Sequence, residues 1–195
     1  MPETNRGLNI GHSPTAVIDA NVLVQAPVRD TLLRLAEGPE LYRPLWSAEI
    51  IAEVRRTLGR RFGIAPDRIA RLESKLREHF PDALIEGFEP LIPTMTNDAK
   101  DRHVLAAAAH AKARTLVTYN LKHFPLTATQ PLRITAVGPS MFLKRLYASD
   151  PQSVVEVLRE QADEIKRTFV DQLRVLHKAV PAFVEVVCRD TQTEL

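Results

Sequence analysis

Oxygen-bearing side chains that could do chemistry fall at a few well-separated places in this chain. Asp19 closes the apolar run "TAVI", Glu53 lies in "SAEIIAEVRRTL", Asp98 and Asp101 both lie in "NDAKDRH", and Asn120 ends "RTLVTYN". Carboxylates and an amide are hard ligands, the set that suits Mg²⁺ or Mn²⁺ with several waters retained. None of them has a cysteine nearby, which excludes thiolate zinc chemistry. Two such charges about 4 Å apart would repel by roughly 4 kcal/mol at an effective dielectric near 20, so converging carboxylates require a cation between them. One or two bound ions could then activate water and steady the charge on a phosphate diester.

Each position also has an ordinary structural use. A strand-end Asp followed by Asn21 suits an Asx turn or a helix cap. Glu53 can pair with Arg56 on its own helix. Asp98 suits the cap of the following helix, Asp101 its positive N-terminal field, and Asn120 a turn. Only convergence distinguishes a site from these separate uses, so the elements that carry the residues matter.

Ala16 to Ile18 reads as a short buried strand, and Val28 to Glu37 as a helix stopped by Gly38. Leu41 to Trp46 is extended, weakened by Pro44. Ser47 caps a helix with Ile50, Ile51, Val54 and Leu58 at helical spacing, and Pro66 opens another. "GFEPLIPTM" is a Pro-rich connection, and "DAKDRHVLAAAAHAKA" is strongly helix-prone because alanine loses no side-chain entropy. "RTLVTYN" and "LRITAV" read as strands.

Strands alternating with helices predict an α/β fold, a mostly parallel sheet covered on both faces. In such sheets functional groups gather beyond the carboxyl ends of the strands, where Asp19 and Asn120 both stand. After Asp150 the pattern is helical only. Val154, Val155, Leu158, Ala162, Ile165, Phe169, Leu173 and Leu176 keep one period over a long span, with Pro181 ending it and "AFVEVV" as a short coda. The expected division is a polar, flexible tail over 1–14, an α/β domain over 15–149 and a helical extension over 150–195.

The 195 residues carry a net charge of +2, with 45% hydrophobic and 26% charged residues, as expected of a globular chain with a real core. A pI near 8.8 is compatible with a polyanionic partner. A single cysteine, Cys188, precludes an internal disulfide and fits a reducing compartment. No apolar run approaches the roughly 20 residues of a membrane span, and the first residues lack the apolar middle of a signal peptide. These features point to a cytoplasmic protein that is not membrane-bound.

In order, "VIDANVLV", "SAEIIAEVRRTL" and "DAKDRHVLAAAAHAKARTLVTYNLKHFP" resemble the PIN-domain nucleases, and within them the bacterial VapC-like toxins. The resemblance runs from about Ala16 to Tyr147. It implies a Rossmann-like core and a Mg²⁺- or Mn²⁺-dependent endoribonuclease. It matches the family's acids to Asp19, Glu53 rather than Glu49, and Asp101, with Asn120 where many relatives carry Asp. Thr118 matches a hydroxyl that orients the cluster, and Asp98 is an accessory candidate. A small antitoxin protein and a homodimer are further implications. The helical extension lies outside the compact toxin pattern.

Cations border these positions in sequence. Arg55, Arg56, Arg60 and Arg61 lie on the Glu53 helix, Lys100 and Arg102 flank Asp101, and Lys122 and His123 follow Asn120. Arg55, Arg56, Arg60, Lys100, Arg102 and Lys122 are the candidate contacts to an RNA backbone. Aromatic content of 6% shows no interleaved stripe for base stacking. His103, His110 and His123 form no ligand pair on a helical face and are expected at the surface or in the core, as Trp46 is in the core. Two other readings fit part of the pattern. One is an inactive PIN-like module that binds RNA or protein. The other is a haloacid-dehalogenase-like phosphatase, which needs a second Asp where Asn21 stands.

Overall fold

The computed structural model describes residues 13–195. Apart from Ser13 and Pro14, the expected N-terminal tail lies outside the described residues. Five strands form one parallel sheet: β1 (Thr15–Ile18), β2 (Arg43–Ser47), β3 (Leu84–Ile85), β4 (Thr115–Val117) and β5 (Thr135–Val137), in the order β3-β2-β1-β4-β5. The fold is the expected α/β class, with β1 at the centre. Ala16, Val17 and Ile18 are all buried, as a parallel strand covered on both faces requires.

Pro44 is tolerated inside β2 for a geometric reason. It pairs with Ala16 of β1, whereas β3 reaches only Trp46 and Ser47, so no third strand lies beside Pro44. Locally β2 is an edge, the setting in which a missing N–H costs little. The two-residue β3 is too short to show an alternating pattern, and the Pro-rich segment after it forms a 3-10 turn, Glu89–Thr94.

The helices that frame the site are α1 (Ala20–Leu23), α2 (Ala26–Glu37), α3 (Ala48–Phe62), α4 (Pro66–His79) and α5 (Arg102–His110). Ser47 caps α3 by accepting from the Ile50 N–H at 3.2 Å. Gly63 ends it at φ 62°, a left-handed value that glycine adopts without strain. Along α5, Val104 to Ala108 are completely buried. Its alanines therefore do more than favour helix: small side chains let the helix axis lie close against the sheet.

α6 (Leu126–Thr129) and α7 (Pro139–Ser149) follow, and then the C-terminal helices. The single long helical period after Asp150 is in fact two helices, α8 (Pro151–Glu164) and α9 (Phe169–His177), and the coda is itself a helix, α10 (Pro181–Thr191). The chain reverses at Lys166, which takes a φ of 54°, and Thr168 starts α9 by accepting from the Asp171 N–H at 3.1 Å. α8 packs on α2 and α10 on α7, and their apolar residues join one continuous core with the sheet. Among the described residues no helix is long and apolar enough to cross a membrane.

Candidate functional site

Asp19 follows β1 directly and is only 3% exposed. Its backbone N–H donates to the Val117 carbonyl at 3.0 Å, which locks the ends of β1 and β4 side by side. Thr118, the first residue beyond β4, is buried and donates its hydroxyl to Asp19 Oδ2 at 2.7 Å. Asn21 Nδ2 donates to the same oxygen at 2.7 Å and to Thr118 Oγ1 at 3.0 Å. Asn21 Oδ1 accepts from the Tyr119 N–H, and Thr118 Oγ1 accepts from the Asn120 N–H, each at 3.0 Å. The three polar residues thus form one knot across the rim of the sheet.

Asp19, Asn21, Glu53, Asp101, Tyr119 and Asn120 line a single open cleft of about 530 Å³. Asp19, Glu53, Asp101 and Asn120 therefore converge, although they come from the end of β1, the middle of α3, the start of α5 and the loop after β4. Burial raises the Asp19 pKa above the usual carboxylate value, and the charges of Asp101 and Glu53 raise it further. Hydrogen bonds from Thr118 and Asn21 pull the other way without cancelling the rise. A buried carboxylate facing two others is stabilised by any positive charge placed between them.

Glu53 sits half-buried beside His103 of α5, whose Nε2 is 3.3 Å from Glu53 Oε1 and whose Nδ1 is 3.6 Å from Glu49 Oε2. Neither ring nitrogen reaches full hydrogen-bonding geometry with a partner. Burial pushes the His103 pKa down, but Glu53 and Glu49 outweigh it and the net shift is upward. Asp101 is held differently: its Oδ2 lies 2.6 Å from Nδ1 of His123. Asp98, Asp101 and His123 come within 4.8 Å of one another, with Asp98 the exposed member and its Oδ1 accepting from the Lys100 N–H.

His103 is buried and His110 exposed, within the expected core or surface roles, but His103 and His123 also face carboxylates. Their partners lie on other elements, which a search along one helix face could not detect. Asn21 was also passed over as a site residue, because its second partner is Thr118, 97 positions away.

The expected cationic border is only partly at the cleft. Arg56 lines it, 3.7 Å from Glu53, and Arg61 lines it as well. Arg55 does not. It turns to α4 and makes a two-pronged ion pair with Glu73 at 2.7 and 2.8 Å, because one residue along a helix rotates the side chain by about 100°. Arg60, Lys100 and Lys122 are exposed outside the cleft lining, and Arg102 Nε donates to the Asn97 carbonyl at 3.3 Å. Two aromatic rings were unforeseen at the mouth: Phe62, 44% exposed with the Arg61 guanidinium 5.7 Å above it, and Tyr119, 39% exposed.

A family model described as PIN domain matches residues 15–122, just over half of the chain and the stretch that holds every residue of the cleft. A Mycobacterium tuberculosis protein named "Putative ribonuclease VapC50" is 53% identical over 57 residues. That similarity covers 29% of this chain and 34% of the relative.

Proposed function

Because the chain belongs to the PIN-domain family, we propose that it is a divalent-metal endoribonuclease hydrolysing RNA phosphodiester bonds. The observation that carries the reading is the convergence of Asp19, Glu53, Asp101 and Asn120 on one cleft, with the buried Asp19 pressed upward in pKa by its neighbours. The donor set fits a hard cation. Asp19 Oδ2 is occupied by Thr118 and Asn21, so Oδ1 receives no side-chain donor, and Asn120 offers a neutral carbonyl oxygen. Asp19, Glu53 and Asp101 would hold Mg²⁺ or Mn²⁺, with Asn120 completing the set and Asp98 nearby as an accessory.

A divalent cation at this place supplies Lewis-acid chemistry, polarising water and offsetting charge on the scissile phosphate. The chain's own residues do the rest. Thr118 and Asn21 fix one oxygen of Asp19, so the carboxylate cannot turn away from the cleft. Arg56 and Arg61 draw the sugar–phosphate backbone toward an otherwise acidic hollow, and the exposed Phe62 and Tyr119 rings offer faces for unpaired bases. The further reading, a toxin restrained by a small antitoxin protein, acting in the cytoplasm and assembled as a homodimer, rests on the resemblance to the VapC-like toxins, and the mycobacterial protein carries the VapC name.

Incubating the purified chain with RNA and Mn²⁺, with and without EDTA, tests the proposal. Cleavage that disappears on chelation and in Asp101→Asn is the expected result. Undiminished cleavage by Asp101→Asn would falsify the assignment.

A further inference from the structure

Resting on the metal-site reading above, we infer that His123 is a positioning residue that holds Asp101 in the cleft and keeps it from collapsing onto its own helix. Asp101 occupies the position before α5 where an aspartate ordinarily turns back to accept the free N–H groups of the first helical turn. Here it makes no such bond. The turn leading into the helix is closed by Asp98 instead, whose carbonyl accepts from the Asp101 N–H at 3.0 Å and whose side chain accepts from the Lys100 N–H at 3.0 Å. The Asp101 carboxylate is thereby spared from capping, and its partner is His123 Nδ1 at 2.6 Å.

His123 is placed to do this by the same loop that carries Asn120. Its N–H donates to the Asn120 carbonyl at 2.9 Å, and its own carbonyl accepts from the Asp98 N–H at 3.3 Å. Backbone and side chain together tie the loop after β4 to the start of α5, the two segments that bring Asn120 and Asp101 to the cleft. With Nδ1–H donating, the imidazole fixes one oxygen of Asp101 as Thr118 and Asn21 fix one oxygen of Asp19. A donor behind a ligating carboxylate sets its orientation, and removing such a donor typically costs 10–100-fold in metal affinity. Without His123, the N–H groups of His103 and Val104, the usual partners of a residue at this position, compete for the carboxylate.

The test uses the full chain and the variants His123→Ala and His123→Asn, the second of which restores an N–H donor near the place of Nδ1. In metal-free wild type, nitrogen NMR of the imidazole should report Nδ1 protonated. In His123→Ala the Val104 amide should shift and gain protection from exchange. Calorimetric titration with Mn²⁺ should give a dissociation constant about 10–100-fold weaker in His123→Ala and within about threefold of wild type in His123→Asn. On RNA, kcat should fall in His123→Ala with KM unchanged. An unprotonated Nδ1 in the wild type overturns the inference even if the alanine variant does not fold. So does a wild-type Mn²⁺ constant in His123→Ala, or an asparagine variant no better than alanine. Failure of the wild type itself to bind Mn²⁺ overturns the metal-site reading, and this inference with it.

Discussion

Asn21 and Asp19 are joined side chain to side chain at 2.7 Å across a single intervening residue, and the same Asn21 amide reaches Thr118 at 3.0 Å. The amide therefore does more than close a local turn. It donates to both members of the β1–β4 pair and accepts from the Tyr119 N–H, so all of its strong hydrogen-bonding capacity on the rim is used. An acid at this position would have no protons to donate and would add a negative charge beside one already raised in pKa.

Asn21→Asp is accordingly expected to be worse than Asn21→Ala. Either variant should lose at least tenfold in kcat/KM on RNA. Urea denaturation should show a cost of about 1–3 kcal/mol, the usual penalty for stranding part-buried polar partners. A ranking with Asp above Ala in metal-free stability would contradict this account.

Asp19 itself makes a prediction about pH and metal. Its folded pKa lies above the unfolded value near 3.8, so between the two the folded state holds more protons than the unfolded chain. Stability from the protonated form is fully present below pH 3.8 and is lost as pH rises through the folded pKa. Above the folded pKa and without metal, the ionised carboxylate destabilises the fold. Asp19→Asn keeps an acceptor for Thr118 and Asn21 but carries no charge. In EDTA it should therefore melt higher than wild type, on a scale of about 2–4 °C per kcal/mol for a chain of this length. Saturating Mn²⁺ should raise the wild type by mass action and leave the variant unmoved. Scanning calorimetry in both conditions checks the reversal.

The arginines separate by the direction in which α3 turns them. Arg56→Ala and Arg61→Ala should each weaken RNA binding and reduce the slope of log K against log salt by about 0.7, the value for one contact to a single-stranded backbone. Arg55→Ala should leave that slope unchanged, because its guanidinium is spent on Glu73. It should instead lower stability, since Glu73 is a mostly buried carboxylate left without its partner. Fluorescence anisotropy over a salt series distinguishes the two groups.

What could be read from the sequence follows a physical division. Asp19 was legible because a buried parallel strand is a short apolar run, and the polar residue that ends it must lie at the rim; Asn120 lies three residues past the end of β4, in the loop on that same rim. Ser47 was legible because capping is local. Asn21, His103 and His123 were not, since each takes its meaning from a partner supplied by strand order or by helix packing. Arg55 and Arg56 look equivalent until the phase of α3 against α4 is known. The apolar period across Ile165 was misleading for a related reason. Its spacing survives a reversal of direction, and the signal for the break was the Thr168–Asp171 pair that starts α9.

The C-terminal helices carry the last prediction. Gln161 of α8 is buried, accepts the Thr31 hydroxyl at 2.9 Å and donates to Asp30 at 2.6 Å, both on α2. Arg34 of α2 grips Glu164 with two bonds at 2.9 and 2.6 Å. On the same helix Leu158 is fully buried in the core shared with the sheet. If the extension folds as one unit with the nuclease core, Leu158→Ala should cost about 2–5 kcal/mol, the range for a leucine whose site cannot fully collapse. That loss should appear in one cooperative transition, with the melting of the Trp46 environment moving together with the helical signal. Gln161→Ala should lower the same transition by removing the buried link from α8 to Thr31 and Asp30. Two separated transitions, with Trp46 reporting only the later one, would show instead that the extension is an independently folding appendage.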